Sequence, residues 1–367
     1  MFNKRISTLL ILSFCLTIVF TSCDKEEKDN YTIPNSYTAF ENVSYQGQTD
    51  RLNMMTEFKS YMAASRTSGF VLEADRMKAM FENDADNAGF TTTYTKQIKS
   101  KTIESEQAAF DALIDELAEA SKSTVVGTET QSGVIESNDG AKSYLIGADG
   151  LDHAQLIEKG LMGACFYYQM TAVYMGDEKM NVDNEIVEVG EGTAMQHHWD
   201  EAFGYFGVAQ SFPADLDNLK FWGDYSNKRN ELLNCNQALM NAFLKGRAAI
   251  DNDDFVSRDE AITEARKILE EISVGSALHY LNNSITSFDD VAIRAHGLSE
   301  AIGFIYALKF NPNKKVDNIT INSYLARLAG SADFSEMNLY AVTPQILESL
   351  RDDLAADYGF ADQKAEF

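Results

Sequence analysis

The sequence predicts an all-α protein, arranged as a duplicated helical bundle behind an irregular N-terminal segment. Three observations carry this. Only four prolines punctuate 367 residues, long stretches repeat their apolar residues with the 3.6-residue period of a helix, and two helix-forming segments echo each other. The length suits one large domain or two small ones.

Residues 31–50 are polar, aromatic and irregular. From Gln48 to Ala64, the residues Leu52, Met55, Phe58 and Met62 fall on one stripe, which predicts a first helix; Leu72 to Phe81 predicts a short second one. Between Glu104 and Lys122, the residues Phe110, Leu113, Ile114, Leu117 and Ala118 recur at i, i+3 and i+4. Residues 123–150 hold Gly127, Gly133, Gly140, Gly147 and Gly150 and read as a long loop with room for a short hairpin. Leu151 to Met175 is apolar around most of its circumference and should form a central, buried helix. A polar insertion, residues 176–192, separates it from an aromatic-rich helix over Thr193 to Gln210. Lys228 to Ile250 reads as one further helix. Ser257-Arg258-Asp259-Glu260 has the form of a capping box, and Ser287 with Asp290 similarly opens a helix running to about Phe310. Asn311-Pro312-Asn313-Lys314 ends it, and Thr343 with Pro344 supplies the cap and first-turn proline of the last helix.

The echo lies in the longer helices. His197-His198-Trp199-Asp200-Glu201-Ala202-Phe203-Gly204-Tyr205 aligns with His296-Gly297-Leu298-Ser299-Glu300-Ala301-Ile302-Gly303-Phe304. Upstream, Leu156-Ile157-Glu158-Lys159 matches Ile268-Leu269-Glu270-Glu271, and Gly163 to Tyr168 matches Gly275 to Tyr280. Two matches in one order indicate duplication of a helical pair, about residues 151–210 and 263–310, within a single domain spanning 31–367. A pseudo-twofold relation between the His/Glu helices follows.

Spacing gives this repeat its chemistry. His197 and Glu201 are four apart and share a helix face, as do His296 and Glu300; His198 lies three before Glu201. Such sets act either as polar contacts between the copies, as ligands for a divalent transition metal or iron, or as a base with its orienting partner. Gly204 and Gly303 let another backbone or a ligand come close. His153, in a first turn, is expected to be exposed, and His279 stands where the first copy has Tyr167. Trp199, Phe203, Phe206 and Trp222 read as core. Gly246-Arg247-Ala248-Ala249-Ile250 lacks the Lys and spacing of a phosphate loop, and no Ser-His-Asp or Cys-His pattern sits at a nucleophile turn.

The N-terminus predicts a membrane tether. Lys4 and Arg5 precede an uncharged apolar stretch, Ile6 to Phe20, and small residues lead into Cys23. Phe20-Thr21-Ser22-Cys23 resembles a bacterial lipobox, which implies a signal peptide over 1–22 and lipidation of Cys23. Residues 24–30 are charged and read as a tether, so the expected location is the cell envelope, on the outer membrane, anchored by lipid. Without Lys4 and Arg5 the chain has 29 basic residues against 56 acidic ones, a balance of −27 that excludes nucleic acid as a partner. Cys165 and Cys235 lie in apolar helical patterns and read as buried free thiols, with one disulfide as the alternative in an oxidising compartment.

Four strings carry a family resemblance. Gln46 to Leu52, Glu158 to Ala164, His197 to Tyr205 and Ser299 to Phe304 resemble the bacterial lipoprotein family catalogued as domain of unknown function 4856, which has no established activity. More distantly, His198-Trp199-Asp200-Glu201 is similar to the His-x-x-Glu element of imelysin-like proteins, which implies a metal site on His198 and Glu201. Gly297 interrupts that element in the second copy, and no HExxH helix accompanies it. The leading expectation is a non-enzymatic binding lipoprotein, with metal or haem uptake as one role. A metal-dependent hydrolase and an assembly partner without a small ligand are the alternatives.

Overall fold

Side-chain caps set where six of the helices begin. Asp152, Thr193, Asp254, Asp290, Asp317 and Thr343 each accept a hydrogen bond from the backbone N–H three residues on. The computed structural model describes residues 31–84 and 89–367; the leader, Cys23 and the charged run lie outside them.

The elements, in chain order, are α1 (Gln46–Ala63), α2 (Ala74–Glu82) and α3 (Glu104–Ser121), then a hairpin of β1 (Gly133–Glu136) and β2 (Ser143–Ile146). There follow α4 (His153–Leu161), α5 (Asp177–Met180), α6 (Ala194–Phe206), α7 (Trp222–Leu233), α8 (Cys235–Asp251), α9 (Phe255–Thr286) and α10 (Val291–Ala307). Two more helices, α11 (Asn318–Ala329) and α12 (Pro344–Tyr358), close the chain. The all-α expectation holds. Thr32–Phe367 form one compact unit.

The long helix α9 is the spine, packed against α7, α8, α10 and α12. Helix α10 lies between α9 and α4. Beyond Leu161, α4 continues as wide π turns over Met162–Tyr167 and Gln169–Tyr174. The first part of this helix packs on α10 and its last turns pack on α6, so it serves both copies of the repeat. Helix α6 also packs on α1 and α8. One apolar cluster runs through all of these helices. The N-terminal segment is pinned to it by polar bonds: Tyr37 OH donates to Asp200 Oδ1 at 2.6 Å, and Arg247 Nε donates to the same atom at 3.1 Å.

The glycine-rich stretch resolves into the antiparallel hairpin, with Gly133 opposite Ile146 and Glu136 opposite Ser143. A small apolar cluster of Tyr144, Ile146, Ala292 and Ala295 seats it on α10. The backbone N–H of Asn138 also donates to Asp290 Oδ2 at 2.8 Å.

Several boundaries differ from expectation for local reasons. The apolar period runs unbroken through Lys228 to Ile250, yet Asn234 adopts φ 51° and splits the stretch into α7 and α8. Helix α9 starts before Ser257, because the Asp254 carboxylate takes the Ser257 N–H and leaves Ser257 inside the first turn. Asp290, not Ser287, caps α10 in the same way. Helix α11 was not anticipated; Asp317 caps it and Gly330 ends it in the left-handed region. His153 is buried, not exposed. Residues 147–150 fold over it, and a Cβ on Gly147 would lie 2.6 Å from its ring. Its Nε2 meets Asp149 Oδ2 at 3.0 Å. Cys165 and Cys235 are buried free thiols, and burial pushes the Cys165 thiol up to about 12. No helix among the described residues is long and apolar enough to cross a membrane.

One contact makes the tightness of the core measurable. A Cβ on Gly246 of α8 would lie 2.0 Å from Cζ2 of Trp199, which is fully buried and donates from Nε1 to the Phe243 carbonyl at 3.0 Å. Gly246→Ala should therefore destabilise the fold by about 2 kcal/mol, even after the gain of about 1 kcal/mol in helix propensity. Guanidinium unfolding should show a lower midpoint with an unchanged slope.

Candidate functional site

Two helices meet unusually closely at Gly303. It lies one turn after Glu300 on α10, and a Cβ there would stand 2.2 Å from the Lys159 Cβ of α4. Lys159 therefore enters between the helices, where its Nζ sits 2.7 Å from Glu158 Oε1 and 3.3 Å from Glu300 Oε1. Lys59 of α1 reaches the same Glu158 oxygen at 2.7 Å. The side chains of Lys159 and Glu158 are each 2% exposed. Burial opposes the charge on Glu158, but Lys159 and Lys59 override it and hold the carboxyl at about 2. Burial likewise opposes the charge on Lys159, and Glu158 and Glu300 reverse that, raising its pKa.

The rest of the second copy completes a polar wall. His296 Nδ1 lies 2.8 Å from Asp152 Oδ2 and its Nε2 lies 3.5 Å from Glu300 Oε2. Tyr144 of the hairpin stacks on the His296 ring at 3.9 Å, and the Arg66 guanidinium lies over the same Tyr144 ring. Tyr225 OH approaches Glu300 Oε1 at 3.5 Å and Tyr280 OH at 3.0 Å.

The first copy repeats the construction with different charge. A Cβ on Gly204 would stand 2.7 Å from the Tyr45 Cβ and 2.9 Å from the Gln48 Cβ of α1. Gln48 Nε2 donates to Glu201 Oε1 at 2.8 Å, and Tyr174 OH donates to the same oxygen at 3.0 Å. His198 Nδ1 lies 3.1 Å from Glu201 Oε2, with His197 Nε2 at 3.9 Å. Burial would raise the Glu201 carboxyl; the bonds from His198, Gln48 and Tyr174 and the nearness of His197 outweigh it and lower its pKa. Gln48 thus stands where the second copy has Lys159.

The five residues singled out for a metal therefore fall into two clusters. His197, His198 and Glu201 bond with α1 and Tyr174, while His296 and Glu300 bond with α4, Asp152 and Tyr225; the two sets share no bonding partner. A transition metal needs three or four converging donors. No group of three or more His, Cys, Asp or Glu side chains among the described residues is placed to hold one. Both Glu201 oxygens are already engaged, and His296 meets carboxylates through both ring nitrogens.

What the repeat does border is a cleft. Its volume is about 800 Å³, and the second-copy wall forms one side. Six cations line it, Lys59, Arg66, Lys142, Lys159, Lys220 and Lys228, against three acids, Glu158, Asp224 and Glu300. The acids are spoken for: Lys228 holds Asp224 at 2.8 Å, and Lys59 and Lys159 hold the two glutamates. Arg66, Lys142 and Lys220 have no ion-pair partner among the described residues. Lys220 donates to Asn53 Oδ1, and burial lowers its pKa. His279, also on the wall, is held at about 4 by burial and by Arg229 and is neutral at pH 7. Sequence reasoning passed over these cations. Lys159 was visible within a repeat string, but the others are scattered over α1, the hairpin and the 218–228 region, and only the fold gathers them.

A family model described as a domain of unknown function, DUF4856, matches residues 34–361. The chain belongs to this family. No curated protein and no solved structure matches it. None of these comparisons shows a relation to imelysin-like proteins. In this DUF4856 chain Lys159 is buried and paired with two carboxylates, so its loss should be costly. Lys159→Met should cost about 3 kcal/mol or more at pH 7, because it takes the only lysine from buried Glu300 and leaves Glu158 with Lys59 alone. Glu158→Gln should destabilise in a pH-dependent way. A carboxyl held at about 2 against an ordinary 4.5 stabilises fully above pH 4.5 and loses that contribution as pH falls toward 2. The gap between wild type and Glu158→Gln in urea unfolding should shrink over that window.

Proposed function

We propose that this chain is an envelope-tethered lipoprotein that binds an anionic ligand in its cleft and does not turn it over. One observation carries the reading: a chain with net charge −25 lines a cleft of about 800 Å³ with six cations and three acids, and leaves three of the cations without an ion pair. An acidic surface repels anions at long range, while a basic pocket within it concentrates them locally. The cation set is therefore selective for anions that can enter, and its half-buried and exposed members, Arg66, Lys220 and Lys142, remain accessible to such a ligand.

Binding fits the wall better than catalysis. Both His296 nitrogens face carboxylates, and no hydroxyl or thiol among the described residues hydrogen-bonds to that ring. A general base needs a free nitrogen toward its proton donor. Haem is a poor match, since Leu219 and Ile293 are the only aliphatic residues of the lining. The tether is read from Lys4, Arg5, the apolar run to Phe20 and Cys23, and residues 24–30 would carry the domain a short way from the bilayer.

Two measurements test this. Calorimetry with inorganic triphosphate and with succinate should give saturable binding that weakens as salt is added. Arg66→Gln and Lys142→Gln should each weaken it by about fivefold, the worth of about 1 kcal/mol. Absence of binding by either anion at 10 mM would sink the proposal. Separately, Cys23→Ser should move the protein from the membrane fraction to the soluble fraction of its host.

A further inference from the structure

We infer that the anion taken by this cleft is an acidic saccharide, a sugar bearing carboxylate or phosphate, because buried hydroxyl acceptors stand beside Arg66, one of its unpaired cations. The inference rests on the anion reading above and adds the rest of the ligand to it.

The acceptors are Gln155 Oε1 and Glu158 Oε2. Both atoms are buried, in residues 4% and 1% exposed, and neither has a hydrogen-bond partner. Leaving such an oxygen unmet costs on the order of 1–3 kcal/mol, and more when it is charged. Cations cannot be what they await. Glu158 already holds Lys59 and Lys159 on its other oxygen, and Gln155 is neutral. A neutral O–H donor answers both.

The space around them has the size for one. A recess of about 10 Å³ adjoins the cleft, lined by Lys59, Arg66, Gln155 and Glu158, all of which also line the cleft, together with residues of α1 and α4. That volume takes one water-sized group. The recess thus joins the two acceptor residues, Gln155 and Glu158, to Arg66, one of the cleft cations without an ion pair. A ligand satisfying them carries a hydroxyl and a negative charge on one small scaffold, as a sugar acid or sugar phosphate does.

The remaining lining agrees. Thr56, Ser60, Asn218 and Asn283 bring further neutral hydrogen-bonding groups, and aliphatic surface is scarce. Amino acids and peptides fit less well. Each brings an ammonium, and all three acids of the lining already have cations, whereas Arg66, Lys142 and Lys220 have no acid.

The experiment compares probes on the full mature chain by calorimetry. The acidic saccharides are trigalacturonate and glucose 6-phosphate; the anions without hydroxyls are inorganic triphosphate and succinate; the uncharged control is maltotriose. At least one acidic saccharide should bind tenfold or more tightly than either simple anion, and whichever wins distinguishes a uronate from a sugar phosphate. Gln155→Met should remove that advantage, weakening acidic-saccharide binding tenfold or more and triphosphate binding much less. Its side chain makes no hydrogen bond, so the variant should fold; Glu158→Gln is the second variant, used at a temperature where it is folded. Simple anions binding as well as the saccharides, or Gln155→Met affecting all probes alike, would overturn the inference and leave the anion reading standing. Maltotriose binding as tightly as trigalacturonate would overturn it by removing the need for charge. Failure of every anion would bring down the anion reading itself.

Discussion

The close approach of α4 to α10 at Gly303 is the constraint on which the site depends. No side chain larger than hydrogen fits between these helices, so the Lys159 stem lies against α10 and its ammonium ends among carboxylates. A buried ammonium is tolerable only when paired, and a paired one fixes its partners in return. Glu158, Glu300 and Lys59 are positioned by that requirement, and through Glu300 so are His296 and Tyr225. The cleft wall is therefore rigid for electrostatic reasons as much as for packing.

The two His/Glu helices are built alike and differ in charge. In each copy a glycine follows the glutamate by one turn, and the residue packed on that glycine reaches back to the carboxylate. In the first copy that residue is Gln48, and the carboxylate is satisfied by neutral donors and imidazoles. In the second it is Lys159, and the surplus of cations continues outward along the cleft. One scaffold thus supports a self-contained polar joint on one side and a cation-lined cleft wall on the other.

Much of the fold was legible because helices announce themselves through local periodicity and caps. The α3 boundaries and the Thr343-Pro344 start could be read almost residue by residue. Where two local signals competed, the sequence was ambiguous: Asp254 and Ser257 both suit a cap, and only the fold shows which carboxylate reaches an N–H. Asn234 breaks a helix through a backbone angle that leaves the apolar pattern untouched. The candidate site was half legible. The repeat pointed to Glu201, Glu300 and their glycines, since duplication leaves a trace in order and spacing. The cations left none. Arg66, Lys142 and Lys220 come from three distant segments, and each alone reads as an ordinary surface residue.

The π turns after Leu161 carry an implication for how this architecture tolerates change in length. Each π turn is in effect an extra residue absorbed without breaking the helix, and it rotates everything downstream about the axis. The turns at Met162–Tyr167 still pack on α10, and those at Gln169–Tyr174 pack on α6. They act as a phase adjuster between the copies, turning one helix so that each half presents its own face to its own partner. Deleting a residue there would leave the helix continuous and both partners in place, yet would put Tyr174 out of register with Glu201 while sparing Lys159.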